Sequence, residues 1–201
     1  MAMTICYAVG SNLYVNLTNK CPCSCTFCIR NNGDGAYGSD SLWLDHDPSI
    51  EEVIEAFEKA DYKKYNEIVY CGFGEPTERL EVLKETAEYI KKNSDKKIRL
   101  NTNGLSDLIH GKSTASELKG IVDTVSISLN AGTLDEYLKV TRPKFGAEAY
   151  QAMQKFAADC KNYVENVVFS VVDVIGEDEI AAAQDIADKN GIKLRVREYE
   201  A

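Results

Sequence analysis

The hydrophobic positions of this chain alternate between short apolar runs and longer segments with helical spacing. Six runs predict β-strands, at 13–18, 68–71, 98–101, 124–130, 167–172 and 194–199. The segments between them space apolar residues three and four apart, as Ile50, Val53, Ile54 and Phe57 do after the Ser49–Glu52 capping box. The chain therefore predicts strand and helix in alternation.

Alternating strands and helices build a parallel sheet through right-handed crossovers. A closed eight-unit barrel needs about 250 residues, and this chain has 201. Six units fit an open partial (βα)6 barrel of the TIM type, and a flat doubly wound sheet is the alternative. Both folds gather their sites at the C-terminal ends of the strands.

Composition narrows the class of protein. Hydrophobic residues make up 44% and charged residues 27% of the chain, which is ordinary for a globular protein, and the length predicts one domain over 1–201. The net charge of -9 disfavours nucleic acid as a partner. No apolar run is long enough for a membrane span, and the absence of a secretory signal predicts a reducing, cytoplasmic location.

Four of the seven cysteines lie in one short loop directly after the first strand. Cys21, Cys25 and Cys28 form a CxxxCxxC motif, and Phe27 precedes the last thiol. Three thiolates on one loop can hold an iron–sulfur cluster. A four-iron cluster would keep one iron open to another ligand, with Cys23 as a bystander thiol.

Two alternatives concern this loop. A structural zinc site usually takes two pairs of ligands from separate knuckles, and no second knuckle is present, because the other cysteines are isolated. A protein that holds a metal or carries electrons without catalysis is the other alternative. Both predict bound metal without turnover.

Unusual polar residues follow the next strands in turn. Gly72-Phe73-Gly74-Glu75 follows the second strand, where glycines would let backbone carbonyls approach a ligand closely. Asn101 and Asn103 end the third strand. The fourth strand places polar side chains on one face and apolar ones on the other. The remaining candidates are Ser126, Ser128 and Asn130 on the fourth strand and Arg197 on the sixth.

These motifs together resemble the radical S-adenosylmethionine (radical SAM) superfamily over nearly the whole chain. The longer segments NLTNKCPCSCTFCIRN, CGFGEPT, LNTNGLSDLIHG, SISLNA and TRPKFG are most similar to small TatD-associated radical SAM proteins. The resemblance implies the partial barrel and a [4Fe–4S] cluster on Cys21, Cys25 and Cys28. It also implies S-adenosylmethionine contacts from Phe27, Gly72, Phe73, Gly74, Glu75, Asn101, Asn103, Ser128, Asn130 and Arg197.

The resemblance also implies a reaction. A one-electron donor such as flavodoxin or ferredoxin reduces the cluster, and S-adenosylmethionine is cleaved to methionine and a 5′-deoxyadenosyl radical that abstracts hydrogen from a substrate. The substrate is expected to be a peptide or protein, or else a small metabolite, and the sequence does not choose between them.

Overall fold

The computed structural model describes residues 3–199, which contain one seven-stranded sheet whose strands lie side by side in chain order. Strands β2 to β7 run parallel, as predicted, and β1 pairs antiparallel with β2. The strands are β1 (Cys6–Val9), β2 (Asn12–Val15), β3 (Glu67–Tyr70), β4 (Lys97–Thr102), β5 (Thr124–Ser128), β6 (Asn166–Val172) and β7 (Lys193–Arg197).

Six α-helices cross between the strands: α1 (Ile50–Ala60), α2 (Leu80–Asn93), α3 (Ser106–His110), α4 (Leu134–Thr141), α5 (Glu148–Cys160) and α6 (Glu177–Asn190). The predicted capping box of α1 is present, with Ser49 accepting from Glu52 N and Glu52 accepting from Ser49 N. Thr133 likewise caps α4 by accepting from Glu136 N. These local signals fix where the two helices begin.

Sequential strand order distinguishes the two predicted architectures. A doubly wound sheet reverses its strand order at a switch point, whereas here every parallel strand neighbours the next one in the chain. Right-handed crossovers in one direction place all the helices on one face of the sheet. That outer face is apolar and buried, for example at Leu13, Ile68 and Phe169, and the sheet is an open barrel.

Two elements differ from the prediction. Strand β1 was not predicted; it joins β2 through the two-residue Gly10–Ser11 turn and buries Tyr7. Thr114 with Glu117 three residues later is a pattern that predicts the start of the third helix, but α3 begins at Ser106, and only a single 3-10 turn follows Thr114. The Thr114 hydroxyl bonds Ser106 and Asp107 instead of capping a helix. Among residues 3–199, no helix is long and apolar enough to span a membrane.

Candidate active site

The cysteine loop follows β2 at the C-terminal edge of the sheet and is attached to the end of α4. Ser24 N donates to Thr141 O at 3.0 Å, and Thr26 N donates to Val140 O at 2.8 Å. The last carbonyls of a helix have no partner within the helix, so the loop amides satisfy them. The end of α4 therefore fixes the position of the loop that carries the thiols.

All four thiols of the loop are free, and Cys23 is buried between two of the others. Hydrogen bonds from Cys23 lower the pKa of Cys21 and of Cys25, and the same two contacts raise the pKa of Cys23. Burial raises the pKa of Cys28. Cys23 thus lies against the sulfurs of Cys21 and Cys25, and its role as a bystander to the cluster stays a prediction.

The donor set fits an iron–sulfur cluster. Cys21, Cys25 and Cys28 are each partly exposed and free of disulfides, and thiolate is the ligand that such clusters use. In the part of the chain that the structure describes, no three Cys, His, Asp or Glu side chains converge on a point that could hold one metal ion. A cluster does not need that convergence, because its cysteines bind different irons.

Asn103 lies against the cysteine loop. Its Nδ2 is 3.9 Å from both Cys21 Sγ and Cys23 Sγ, while its Oδ1 accepts from Leu105 N at 2.9 Å. The family resemblance implied that Asn103 contacts S-adenosylmethionine. The Asn103 amide donates towards thiol sulfur, where hydrogen bonds influence the reduction potential of a cluster, and its predicted contact with S-adenosylmethionine stays a prediction.

Glu75 is fully enclosed and joins two strand ends. Its Oε1 accepts from Thr77 N, Thr77 Oγ1 and Thr102 Oγ1 at 3.1, 2.8 and 2.7 Å, and its Oε2 accepts from Asn103 N at 2.7 Å. Burial raises the pKa of this carboxyl above its usual range. These bonds hold the Asn103 backbone amide, and the predicted contact of Glu75 with S-adenosylmethionine stays a prediction.

Gly72 and Gly74 permit close contact within the protein. A Cβ on Gly72 would lie 2.1 Å from Asn16 Oδ1, and one on Gly74 would lie 2.2 Å from Thr18 O and 2.7 Å from Lys20 O. Glu75 N also donates to Lys20 O at 2.8 Å. The segment after β3 thus packs directly on the cysteine loop, and its glycines serve that contact rather than only access to a ligand.

Phe73 turns its side chain away from the thiols. It is buried in a small cluster with Tyr7, Ala36 and Leu42, and its ring lies edge-on to Trp43 at 5.0 Å between centroids. Only the backbone of Phe73 remains as a predicted ligand contact. The long segment from 29 to 48 packs through this cluster against the strand ends.

The polar positions of β4 and β5 lie on the inner face of the sheet. Asn101 pairs in register with Ser126, and its Oδ1 is buried without a hydrogen-bond partner. Ser128 ends β5 beside Ser170. Asn130 follows with φ +63, a left-handed conformation that asparagine tolerates well. The predicted contacts of these residues with a ligand stay predictions.

The two remaining predicted residues lie on opposite sides of the barrel mouth. Phe27 is partly buried and packs against the main hydrophobic core. Arg197 ends β7 and pairs in register with Val172 on β6. The backbone two residues later is held by a hydrogen bond, because Tyr199 N donates to Asp173 Oδ1 at 2.9 Å. The Tyr199 hydroxyl also donates to Asn32 Oδ1 at 3.4 Å, which links the last strand to the segment after the thiols.

Sequence reasoning missed the polar residues that hold the cysteine loop. Buried Asn16 donates to Leu42 O at 2.7 Å, and Thr18 donates to Asp47 at 2.7 Å. Asn19 exchanges two hydrogen bonds with the backbone of Leu44, at 2.8 and 3.0 Å. The signal was the run of polar residues at the end of β2, because buried polar side chains need partners.

Comparison with known proteins identifies the family. A family model described as the radical SAM superfamily matches residues 15–187. The dual-specificity RNA methyltransferase RlmN of Campylobacter hominis is 24% identical over 184 residues, which are 88% of this chain and 49% of that protein. The chain thus spans about half the length of this curated relative.

Solved structures share the fold at low identity. SuiB of Streptococcus suis bound to the precursor peptide SuiA superposes with a TM-score of 0.72 at 16% identity, covering 94% of this chain and 39% of that one. Native anSMEcpe with bound AdoMet gives a TM-score of 0.62 at 18% identity, covering 93% of this chain and 50% of that one. The predicted partial barrel is confirmed.

Proposed function

This chain belongs to the radical SAM superfamily, and we propose that it is an enzyme that cleaves S-adenosylmethionine and removes a hydrogen atom from a substrate. Members of the superfamily use a [4Fe–4S] cluster together with S-adenosylmethionine, and anSMEcpe was crystallised with AdoMet. They need a one-electron reductant, for which flavodoxin or ferredoxin is the proposed donor. The seven free thiols favour a reducing compartment such as the cytoplasm.

The proposal depends on one observation above all: three partly exposed thiols lie on one loop at the edge where the parallel strands end. Cys21, Cys25 and Cys28 would hold the cluster and leave one iron for the amino and carboxylate groups of S-adenosylmethionine. When bound, the cluster supplies an electron that breaks a carbon–sulfur bond to give a 5′-deoxyadenosyl radical.

The chain's own residues position the cysteine loop and would bind S-adenosylmethionine. The α4 terminus holds the loop through Ser24 and Thr26, and Glu75 holds the Asn103 backbone amide. Backbone groups of 72–74, with Asn101, Ser128 and Asn130, are proposed to line the nucleoside and methionine parts of S-adenosylmethionine. The polar inner face beyond them is left for the substrate.

The substrate is proposed to be either a peptide or a small metabolite. SuiB carries a bound precursor peptide, and RlmN is described as an RNA methyltransferase, so the superfamily accepts substrates of very different size. The net charge of -9 disfavours RNA for this chain. An open barrel side admits either a peptide or a metabolite.

Anaerobic reconstitution tests the proposal. We expect about four irons and four sulfides per chain, and release of 5′-deoxyadenosine from S-adenosylmethionine after reduction with dithionite. Cys25→Ala should lose both the cluster and the release. The matched variant Cys23→Ala, which removes a thiol from the same loop, should retain iron and turnover. Zinc without sulfide would instead support a non-catalytic module, and loss of the cluster only in Cys23→Ala would reassign the ligands.

A further inference from the structure

The inner face of the sheet is unusually polar. In a TIM-type barrel the inward side chains are mostly bulky and apolar. Most of the positions that alternate with the buried outer residues of β4 to β7 carry hydroxyl, amide, ammonium or guanidinium groups, and Val168 and Val172 are apolar. The polar positions include Asn101, Ser126, Ser128, Ser170, Arg195 and Arg197. This inner face of β4 to β7, called the inner wall below, is suited to a polar ligand rather than to a packed core.

The charges on this wall do not cancel. Arg99 is neutralised by Glu67, whose Oε2 accepts from Arg99 Nε at 3.0 Å and from Nη2 at 2.9 Å. Glu75 is enclosed by its four donors at the top of the wall. Neither Arg195 nor Arg197 forms an ion pair with a carboxylate anywhere in residues 3–199. Two unpaired positive charges therefore lie on the inner face of a chain whose net charge is -9.

The two arginines sit near the C-terminal end of β7, at the edge of the sheet opposite the cysteine loop. Arg195 continues the row formed by Ser128 and Ser170, and Arg197 lies one step nearer the mouth. The charge of Arg197 acts on the opposite side of the sheet, because burial raises the pKa of Tyr14 on β2, and the charges of Arg99 and Arg197 oppose that rise. The field of Arg197 therefore extends across the hollow.

Arg195 and Arg197 are both exposed on the inner side of the edge strand β7. We propose that they bind an anionic group of the substrate, a carboxylate or a phosphate, together with the hydroxyls of Ser128 and Ser170 beside them. This inference rests on the proposed function, because it places the substrate beyond the 5′ carbon of S-adenosylmethionine. Guanidinium matches both anions through paired N–H donors. The carboxylate of S-adenosylmethionine would be held by the cluster on Cys21, Cys25 and Cys28, and the proposal therefore gives Arg197 to the substrate rather than to the cofactor.

Binding of simple anions to the reconstituted holoenzyme tests this assignment. With S-adenosylmethionine saturating and at low ionic strength, the thermal midpoint is followed against rising concentrations of four probes. Succinate is matched with neutral succinamide, and methyl phosphate with methanol. The concentration dependence of the midpoint gives the dissociation constant of each probe. Preference for succinate or for methyl phosphate identifies the anion as carboxylate or phosphate.

The variants are Arg195→Gln and Arg197→Gln, with Lys193→Gln as the matched control, since it removes one positive charge from the other end of the same strand. We expect at least one charged probe to bind about tenfold more tightly than its neutral partner. Each arginine variant should weaken that probe about tenfold, and Lys193→Gln should change it less than twofold. Affinity for S-adenosylmethionine should stay unchanged in all three variants.

Three results would overturn the assignment: no difference between charged and neutral probes, an equal loss in Lys193→Gln, or weakened S-adenosylmethionine with the probes unaffected. The last result would return Arg197 to the cofactor. Failure of the proposed function has a separate signature, because the wild-type holoenzyme would then release no 5′-deoxyadenosine under dithionite whether or not it bound the probes.

Discussion

Replacing Gly74 by alanine tests whether the segment after β3 is fitted to the cysteine loop. The new Cβ would lie 2.2 Å from Thr18 O, 2.7 Å from Lys20 O and 2.8 Å from Thr18 C, whereas ordinary contact begins at 3.4 Å. All three neighbours are backbone atoms, so no side chain can rotate to make room. One of the two segments must move by about 1 Å, and close-packed interiors do not absorb such a shift freely.

Overpacking of this kind costs about 1–3 kcal/mol, and the rigid backbone neighbours place Gly74→Ala at the upper end. At about 2–3 kcal/mol the thermal midpoint should fall by roughly 4–12 °C for a chain of this length. Anaerobic urea unfolding gives the free energy of unfolding, and iron content reports whether the loop still holds a cluster. We expect both to decrease together, because the strained contact is made to the loop that carries Cys21.

The control is Gly33→Ala, since a Cβ on Gly33 meets no atom within 4 Å. It should leave the urea midpoint and the iron content at wild-type values, within about 1 kcal/mol in stability. If Gly74→Ala unfolds at the same urea concentration as Gly33→Ala, the two segments are not in fixed contact. The argument that glycine is needed for packing within the protein would then be refuted.

Three further changes test the surrounding contacts. Glu75→Gln should cost about 1–3 kcal/mol by leaving a buried donor unpaired. Because burial raises the folded-state pKa of Glu75 above 4.5, the contribution of this carboxyl to stability is present below pH 4.5 and is lost as pH rises through the raised pKa. The stability difference between wild type and variant should therefore change with pH in that window, and a constant difference would contradict this. Phe73→Ala should lower the free energy of unfolding by about 3–5 kcal/mol. It should also shift the fluorescence emission of Trp43, the one tryptophan in the chain, to longer wavelength, and unchanged emission would exclude the ring contact. Asn103→Ala should lower the reduction potential of the cluster by about 20–60 mV, the equivalent of one lost hydrogen bond, as measured by potentiometric titration, and an unchanged potential would show that Asn103 does not donate to Cys21.

The fold was predictable because its signals are local and repeated. Period-two runs and helical spacing recur through the chain, and each predicted parallel strand was found within a few residues of its expected position. The β1 strand escaped because four residues before a short turn carry little pattern of their own. Thr114 was misread for a related reason: a threonine followed by glutamate three residues later also occurs where the hydroxyl bonds a neighbouring turn.

The candidate site was only partly predictable. Spacing between cysteines is a property of the sequence, so the loop and its position after a strand could be inferred directly. The partners of Glu75 and Asn103 are set by how strand ends meet, and that geometry depends on the register between β3 and β4. A motif indicates that a residue matters at a strand end, but the same residue type can serve a ligand or a neighbouring loop.

The structure favours contact with a neighbouring loop for the residues that follow β3. Gly72 and Gly74 leave room for Asn16 and the Thr18 backbone, which lie against them, and the Glu75 carboxyl accepts hydrogen bonds from four protein donors. These residues form a support that fixes the cysteine loop relative to β4. Substitutions there should therefore reduce stability and cluster retention before they change the affinity for S-adenosylmethionine. The side chains of Ser128 and Asn130 are not part of this support. Substitutions at these two residues should therefore weaken S-adenosylmethionine binding before they reduce stability or cluster retention.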